Sequence, residues 1–329
     1  MEPIKLPKLR KVDPNKPKKK KILLLSDDMR LFSGIGTMSK EIVLHTCDQY
    51  DWVQLGAAIN HPEKGRVFDV SKDVQIESGV SDAFCKIYAW DGYGDAQILQ
   101  QLIDQEKPDA ILHFTDPRFW GWLYMIEHQI RQQVPLMYYN IWDDLPYPHW
   151  NEAYYESCDL LMNISRQTNN IVHNVIQNFP KPDWAIQWVP HGICEKRYFP
   201  IGPLHAQAPE FEQFCSQFKK TNDVDFVVFW NNRNIRRKQP SDLILAFKQF
   251  CDGLTKDQAN KCALVMKTQR VDGNGTDLPA VIRAVCPDYK VIILDKQMES
   301  KELNFWYNIA DVTVNIASNE GFGLSGAES

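Results

Sequence analysis

Short apolar runs alternate with amphipathic stretches along almost the whole chain, and this alternation restricts the fold more than any other feature. Runs of the first kind are Lys21–Ser26, Trp52–Ala58, Pro108–Phe114, Pro135–Asn140, Asp159–Ile164 and Ala185–Pro190, with a weaker one at Ala83–Tyr88. Apolar side chains on both faces of a short strand are what a parallel sheet covered by helices requires. Helical periodicity fills the spaces between them, as at Asp95–Glu106, Trp120–Gln132 and Arg166–Gln177. Strand–helix alternation of this kind predicts a doubly wound α/β sheet. The pattern lapses over 196–222, which is rich in Pro, Gln, Phe and charge. It resumes with strand Asp225–Trp230, helix Ser241–Cys251 capped by Ser241, strand Cys262–Lys267, helix Leu278–Cys286, strand Tyr289–Leu294, helix Ser300–Ala310 and strand Val312–Ala317. The expected organisation is therefore a basic arm (1–20), one Rossmann-like domain (21–195), a connection (196–222) and a second Rossmann-like domain (223–329).

The chain has 329 residues, of which 44% are apolar and 12% aromatic, enough for two packed cores. It contains no apolar run of membrane-spanning length and no apolar signal segment at its start. Eight cysteines are scattered without a C-x-x-C pair. They read as reduced thiols of a cytoplasmic protein, with no metal site. Charge is uneven: nine Lys/Arg and one acid lie between Lys5 and Lys21. The rest of the chain is acidic, so the arm is expected to be disordered and to be drawn to anionic surfaces, lipid or nucleic acid.

Two loops carry the chemistry. The first, Asn232–Pro240, follows a strand and holds Arg233, Arg236, Arg237 and Lys238. Fixed cations there would stabilise a departing diphosphate more in the transition state than in the ground state. The second, Glu320-Gly-Phe-Gly-Leu-Ser-Gly-Ala-Glu328, sets two carboxylates around a glycine-rich turn before a helix. Gly323 lets the backbone approach a ligand, and amides of Phe322, Gly323 and Leu324 are available to sugar or phosphate. One carboxylate suits sugar hydroxyls and the other ribose hydroxyls. In the first domain, Ser33-Gly34-Ile35-Gly36-Thr37 follows the first strand. A dinucleotide fingerprint would need a third glycine and an acid at the end of the second strand. Ser39 or Lys40 stands at the one and Asn60 at the other, which argues against NAD.

Glu320 to Glu328 resembles the E-x7-E motif of retaining GT-B glycosyltransferases, especially the GT4-like group. The five-residue spacing of Arg233 and Lys238 resembles the cations with which that family holds its donor diphosphate. The resemblance implies a GT-B fold of two Rossmann-like domains across a cleft. It also implies a metal-independent, cofactor-free transfer from a UDP- or GDP-sugar to an acceptor hydroxyl, with retention. Glu320, Arg233, Lys238 and His113 are then the catalytic candidates. Gly34, Gly36, Phe322, Gly323, Leu324 and Glu328 would bind the donor. His113-Phe-Thr115-Asp116 resembles a family site near the reacting sugar, although Thr115 stands where a second histidine is usual. Thr115, Asp116 and Trp142 are acceptor-side candidates. The acceptor itself is left open among glycan, lipid, protein and modified DNA. An epimerase and a non-catalytic sugar-nucleotide or glycan-binding subunit remain as alternatives. Asp27-Asp28 and Asp143-Asp144 read as loop and capping residues and not as metal ligands. The sequence stops one residue after Glu328. The second domain is therefore expected to be incomplete, and the chain to be weakly stable, self-associating or dependent on a further segment.

Overall fold

The computed structural model describes residues 18–329. Two compact units are present: one holds the chain up to Trp142 with Tyr147–Val189, the other Asp143–Pro146 with Pro190–Ser329.

The first unit contains eight strands: β1 Lys20–Asp27, β2 Tyr50–Ala58, β3 Val67–Asp69, β4 Cys85–Asp91, β5 Ala110–Phe114, β6 Leu136–Asn140, β7 Leu160–Asn163 and β8 Ile186–Trp188. Their order is β3-β4-β2-β1-β5-β6-β7-β8, parallel except for β3 against β4. β1 lies at the centre, with Leu23 paired to Val53 on one side and Ile111 on the other. Leu23, Leu24 and Leu25 are fully buried, as expected of a strand covered on both faces. Helices start where the sequence supplies a capping oxygen. Ser33 accepts from Gly36 N to open Gly34–Thr46, and Asp95 accepts from Gln97 N and Ile98 N to open Ala96–Glu106. The latter helix turns Ile98, Leu99, Leu102 and Ile103 into the core. Chain order reverses direction across the sheet between β1 and β5. The carboxyl ends of these two strands therefore flank the crevice where doubly wound sheets take ligands.

The second unit contains β9 Phe226–Asn231, β10 Cys262–Lys267, β11 Lys290–Leu294 and β12 Val312–Thr313, all parallel, in the order β11-β10-β9-β12. Leu243, Ile244, Phe247 and Cys251 of helix Pro240–Asp252 cover one face, in a cluster with Leu264 and Met266. Trp306, Tyr307 and Ile309 of helix Ser300–Ile309 cover the other with Val227 and Phe229.

Several expectations need correction. Within the basic run, Lys19, Lys20 and Lys21 belong to the fold: they pair with Asp82 at 2.9 Å, Asp109 at 2.9 Å and Glu106 at 3.2 Å. Residues 1–17 and their expected disorder lie outside the described residues. The stretch 196–222, expected as a connection, contains helix Ala208–Asn222, whose Phe211, Phe214, Cys215 and Phe218 pack on the second core at helical spacing. Ser241 does not cap its helix, because Gln239 at φ 52° turns the chain directly into Pro240 as the first helical residue. The helix expected at Trp120–Gln132 is a 3₁₀ turn and two short helices interrupted at Ile126, whose ψ of 9° is not helical. β12 stops at Thr313 rather than Ala317, because the Asn315 side chain accepts from Ala317 N at 3.1 Å and starts a turn. The eight cysteines are all free thiols. Among the described residues no helix is long and apolar enough to cross a membrane.

Candidate functional site

Strand order in the second sheet decides what meets there. β9 and β12 are neighbours although more than eighty residues separate them in sequence. The loops leaving their carboxyl ends are therefore brought together at the reversal of chain order. The loop after β9 ends in a 3₁₀ turn, Arg236–Lys238, and the loop after β12 carries Asn315 to Gly323. Ser318 N donates to Arg237 O at 2.9 Å, fixing one loop on the other.

Four charges gather across this junction. Lys238 Nζ is in contact with Glu320 Oε1, and both side chains are largely buried. Burial lowers the pKa of Lys238, and the Glu320 carboxylate acts in the opposite sense. Arg237 Nη1 lies 3.8 Å from Glu320 Oε2 and 3.6 Å from Asp143 Oδ2, and donates to Asn319 O at 2.7 Å. Asn319 Nδ2 donates to Asp143 Oδ1 at 3.1 Å. Burial raises the pKa of Asp143, with Arg237 and Asn319 opposing the rise. Asn315 Nδ2 donates to Glu320 Oε1 at 3.2 Å and orients that carboxylate.

The structure thus brings Lys238 and Glu320 together and leaves Arg233 apart from them. Arg233 Nε donates to Asp272 Oδ2 at 2.8 Å, in a mostly exposed position over the loop that follows β10. Glu328 sits one helical turn from Leu324 and accepts from Tyr307 Oη at 2.7 Å. Tyr307 Oη in turn accepts from Asn231 Nδ2 at 2.8 Å, so the end of β9 holds this carboxylate as well. Gly323 adopts φ 77°, a conformation that favours glycine, immediately before helix Leu324–Glu328. Phe322 packs on His191 with ring centres 5.4 Å apart, and burial lowers the His191 pKa to about 4.

In the first unit, Gly34 and Gly36 open the helix after β1. A Cβ on Gly36 would meet Leu31 O at 2.8 Å and Asp28 O at 2.9 Å, whereas Gly34 faces open space. Ser33 Oγ also donates to Asp27 Oδ2 at 2.8 Å. His113 is a correction. It is fully buried beneath Trp120 and Tyr138, with Nδ1 bonded to Tyr124 Oη at 2.7 Å. Burial holds its pKa down at about 3, so the ring is neutral and touches core aromatics instead of ligand space. Thr115 is buried beside it. Asp116 caps the 3₁₀ turn Pro117–Trp120 and binds the Arg118 guanidinium at 2.5 Å. That guanidinium lies over the Trp142 ring at 5.3 Å, and Trp142 meets Trp150 edge-on at 6.0 Å. Asp28 is fully buried between Arg30 at 2.7 Å and His61 at 3.1 Å.

Asn319, Asn315 and Tyr307 join the cluster without having been singled out in the sequence, Arg237 was there only as added charge in its loop, and Asp143 only as a loop residue. The run Arg236-Arg237-Lys238 was a visible signal for Arg237. No local pattern marks Asn319, Asn315 and Tyr307, which reach the site through strand order alone.

No protein-family model matches the sequence, and no curated protein matches it. Solved structures do. The α,α-trehalose-6-phosphate synthase from Burkholderia multivorans superposes with a TM-score of 0.65 at 10% identity, over 95% of this chain and 81% of that one. An E. coli trehalose-6-phosphate structure bound with UDP-2-fluoro glucose matches with a TM-score of 0.61 at 12% identity, over 94% and 81%. The UDP-forming α,α-trehalose-phosphate synthase from Burkholderia xenovorans, in complex with glucose-6-phosphate, matches at 0.63 and 12%, over 94% and 82%. The fold is thus GT-B, with two Rossmann-like domains. These similar structures are trehalose-phosphate synthases, and none of them places the chain in the GT4-like group.

Proposed function

We propose that this protein is a retaining glycosyltransferase that moves a sugar from a nucleoside-diphosphate sugar to an acceptor hydroxyl, without metal or cofactor. The observation that carries the reading is the meeting of Lys238 and Glu320 at the carboxyl ends of β9 and β12. A buried cation at that point would neutralise the diphosphate as the anomeric C–O bond breaks. Glu320, oriented by Asn315, would accept from donor sugar hydroxyls, and Glu328, held by Tyr307, from ribose hydroxyls. With no carboxylate assigned as a nucleophile, retention fits a front-face route in which the departing phosphate takes the acceptor's proton.

The similar structures guide the first substrates to try, UDP-glucose as donor and glucose-6-phosphate as acceptor. The test is incubation of the chain with UDP- and GDP-sugars and a panel of sugar, sugar-phosphate, lipid and DNA acceptors. Mass spectrometry reads the products, and NMR reads the anomeric configuration. A product heavier by one glycosyl unit with the donor's own configuration is expected. An inverted product would remove the retaining mechanism. Failure to bind or turn over any nucleoside-diphosphate sugar would remove the reading altogether.

A further inference from the structure

The loop after β9 offers four cations, and their engagements differ. The Arg233 guanidinium is already committed: Nε and Nη2 face the two oxygens of Asp272 at 2.8 and 3.4 Å. Asp272 also accepts from Asn274 N at 2.9 Å. Arg233 therefore ties two loops of the second unit together. Arg237 is held differently. Its two carboxylate neighbours, Asp143 and Glu320, stand at 3.6 and 3.8 Å, beyond charge-assisted hydrogen-bond length, and the nitrogen facing them donates to a backbone carbonyl. A planar guanidinium whose fork is unmatched to any carboxylate is suited to a phosphate, which it can bind through two parallel N–H groups. It also sits beside Lys238, on the same Glu320. Two carboxylates around two cations leave the cluster near neutral, so an incoming diphosphate has to take the place of at least one of them.

We propose that Arg237, together with Lys238, holds the donor's diphosphate, and that Asp143 is the resident counter-ion which the diphosphate displaces. This rests on the glycosyltransferase reading above. Glu320 remains as the sugar-facing carboxylate, fixed by Asn315. Asp143 keeps its bond from Asn319 when Arg237 turns away. The backbone carbonyl of Arg237 continues to accept from Ser318 N whatever the side chain is, so substitution removes the guanidinium without unpinning the two loops.

The experiment is calorimetric titration of the full chain with UDP and with GDP, for wild type, Arg237→Ala, Arg237→Lys, Arg233→Ala, Lys238→Ala and Asp143→Asn. Wild type binds one of the two nucleotides. Arg237→Ala weakens that binding at least tenfold, and Arg237→Lys recovers part of the loss. Arg233→Ala costs less than Arg237→Ala. Asp143→Asn, which keeps the side chain's shape without its charge, tightens binding about threefold as a competing anion disappears. If Lys238→Ala abolishes binding while Arg237→Ala stays within threefold of wild type, the diphosphate site stands and the assignment of Arg237 falls. A loss in Asp143→Asn as large as that in Arg237→Ala would make Asp143 a ligand or support and end the displacement idea. Absence of binding to either nucleotide by wild type would overturn the functional reading itself. Melting temperatures of each variant separate loss of affinity from loss of fold.

Discussion

The carboxyl ends of the two sheets are built from different materials. Around β5 and β6 the side chains are aromatic and largely neutral: His113 between Trp120 and Tyr138, and Trp142 against Trp150. The close ion pair of Asp116 with Arg118 there is internal to a single turn. Around β9 and β12 the side chains are ionic, and the pairs cross between loops far apart in sequence. A buried neutral aromatic cluster is held by area and shape, and reorganises little. An ionic cluster stores strong interactions that a charged ligand can exchange for its own. The first kind of cluster serves packing, and the second presents charges that an ionic ligand could engage.

The largest effect should come from Lys238. Replacing it by alanine removes the most buried cation of the cluster, and a loss of about 10²–10³ in kcat/KM is expected, as for removal of other transition-state charge stabilisers. Lys238→Arg should keep part of the rate. A Lys238→Ala enzyme with wild-type kcat/KM would show that the ionic character of this end serves packing only.

Acid should act on the first unit through His113. Its pKa is held near 3 in the folded chain, against an ordinary value of 6.5. The unfolded chain takes up a proton as pH falls below 6.5, and the folded chain does not until about pH 3. The stability that neutral His113 contributes is therefore complete above pH 6.5 and is lost progressively down to about pH 3. The total is on the order of 5 kcal/mol. His191, lowered to about 4 in the second unit, adds a smaller loss of the same sign. Denaturant titrations at stepped pH measure this, and His113→Phe should flatten the profile. His113→Ala at neutral pH should cost about 3 kcal/mol through the cavity it leaves, while kcat/KM, measured well below its melting point, changes less than threefold. A hundredfold fall in kcat with unchanged stability would return His113 to the chemistry.

Periodicity made most of the fold legible. Every long strand and most helices follow from apolar runs and helical periodicity, whereas the one cap read from the sequence, Ser241, is not used. What escaped was short or set at a distance. β3 has three residues, fewer than a periodic signal needs. Helix Ala208–Asn222 hid among charges, because its four core residues are diluted by polar ones on the outer face. In the site, Glu320 and Lys238 were readable because each lies in a dense local motif. Asp143 was not: its partner Arg237 is 94 residues away, and only tertiary placement of Asp143–Pro146 beside the second sheet joins them. His113 misled for a related reason. The final residues of a buried strand can face ligand space or core, and the sequence around His113 does not distinguish the two.

The glycine loop after β1 offers the finest test of the contrast, since its two glycines look alike in sequence and differ in the structure. At Gly36 a methyl group would press on two backbone carbonyls, of Leu31 and Asp28, at 2.8 and 2.9 Å. Carbonyls of a tight loop cannot swing aside as a flexible side chain can, so Gly36→Ala should cost about 1–3 kcal/mol. Because Asp28 is itself fixed by Arg30 and His61, the displaced loop would disturb that buried pair as well. At Gly34 nothing lies within 4 Å and the backbone is already helical. Gly34→Ala should therefore be neutral or should stabilise by about 0.4–1 kcal/mol, through the smaller entropy of the unfolded chain. Equal losses in both variants would show that the loop needs glycine for a conformation other than the one described. A normal fold with impaired turnover in Gly34→Ala alone would show instead that its open side faces substrate.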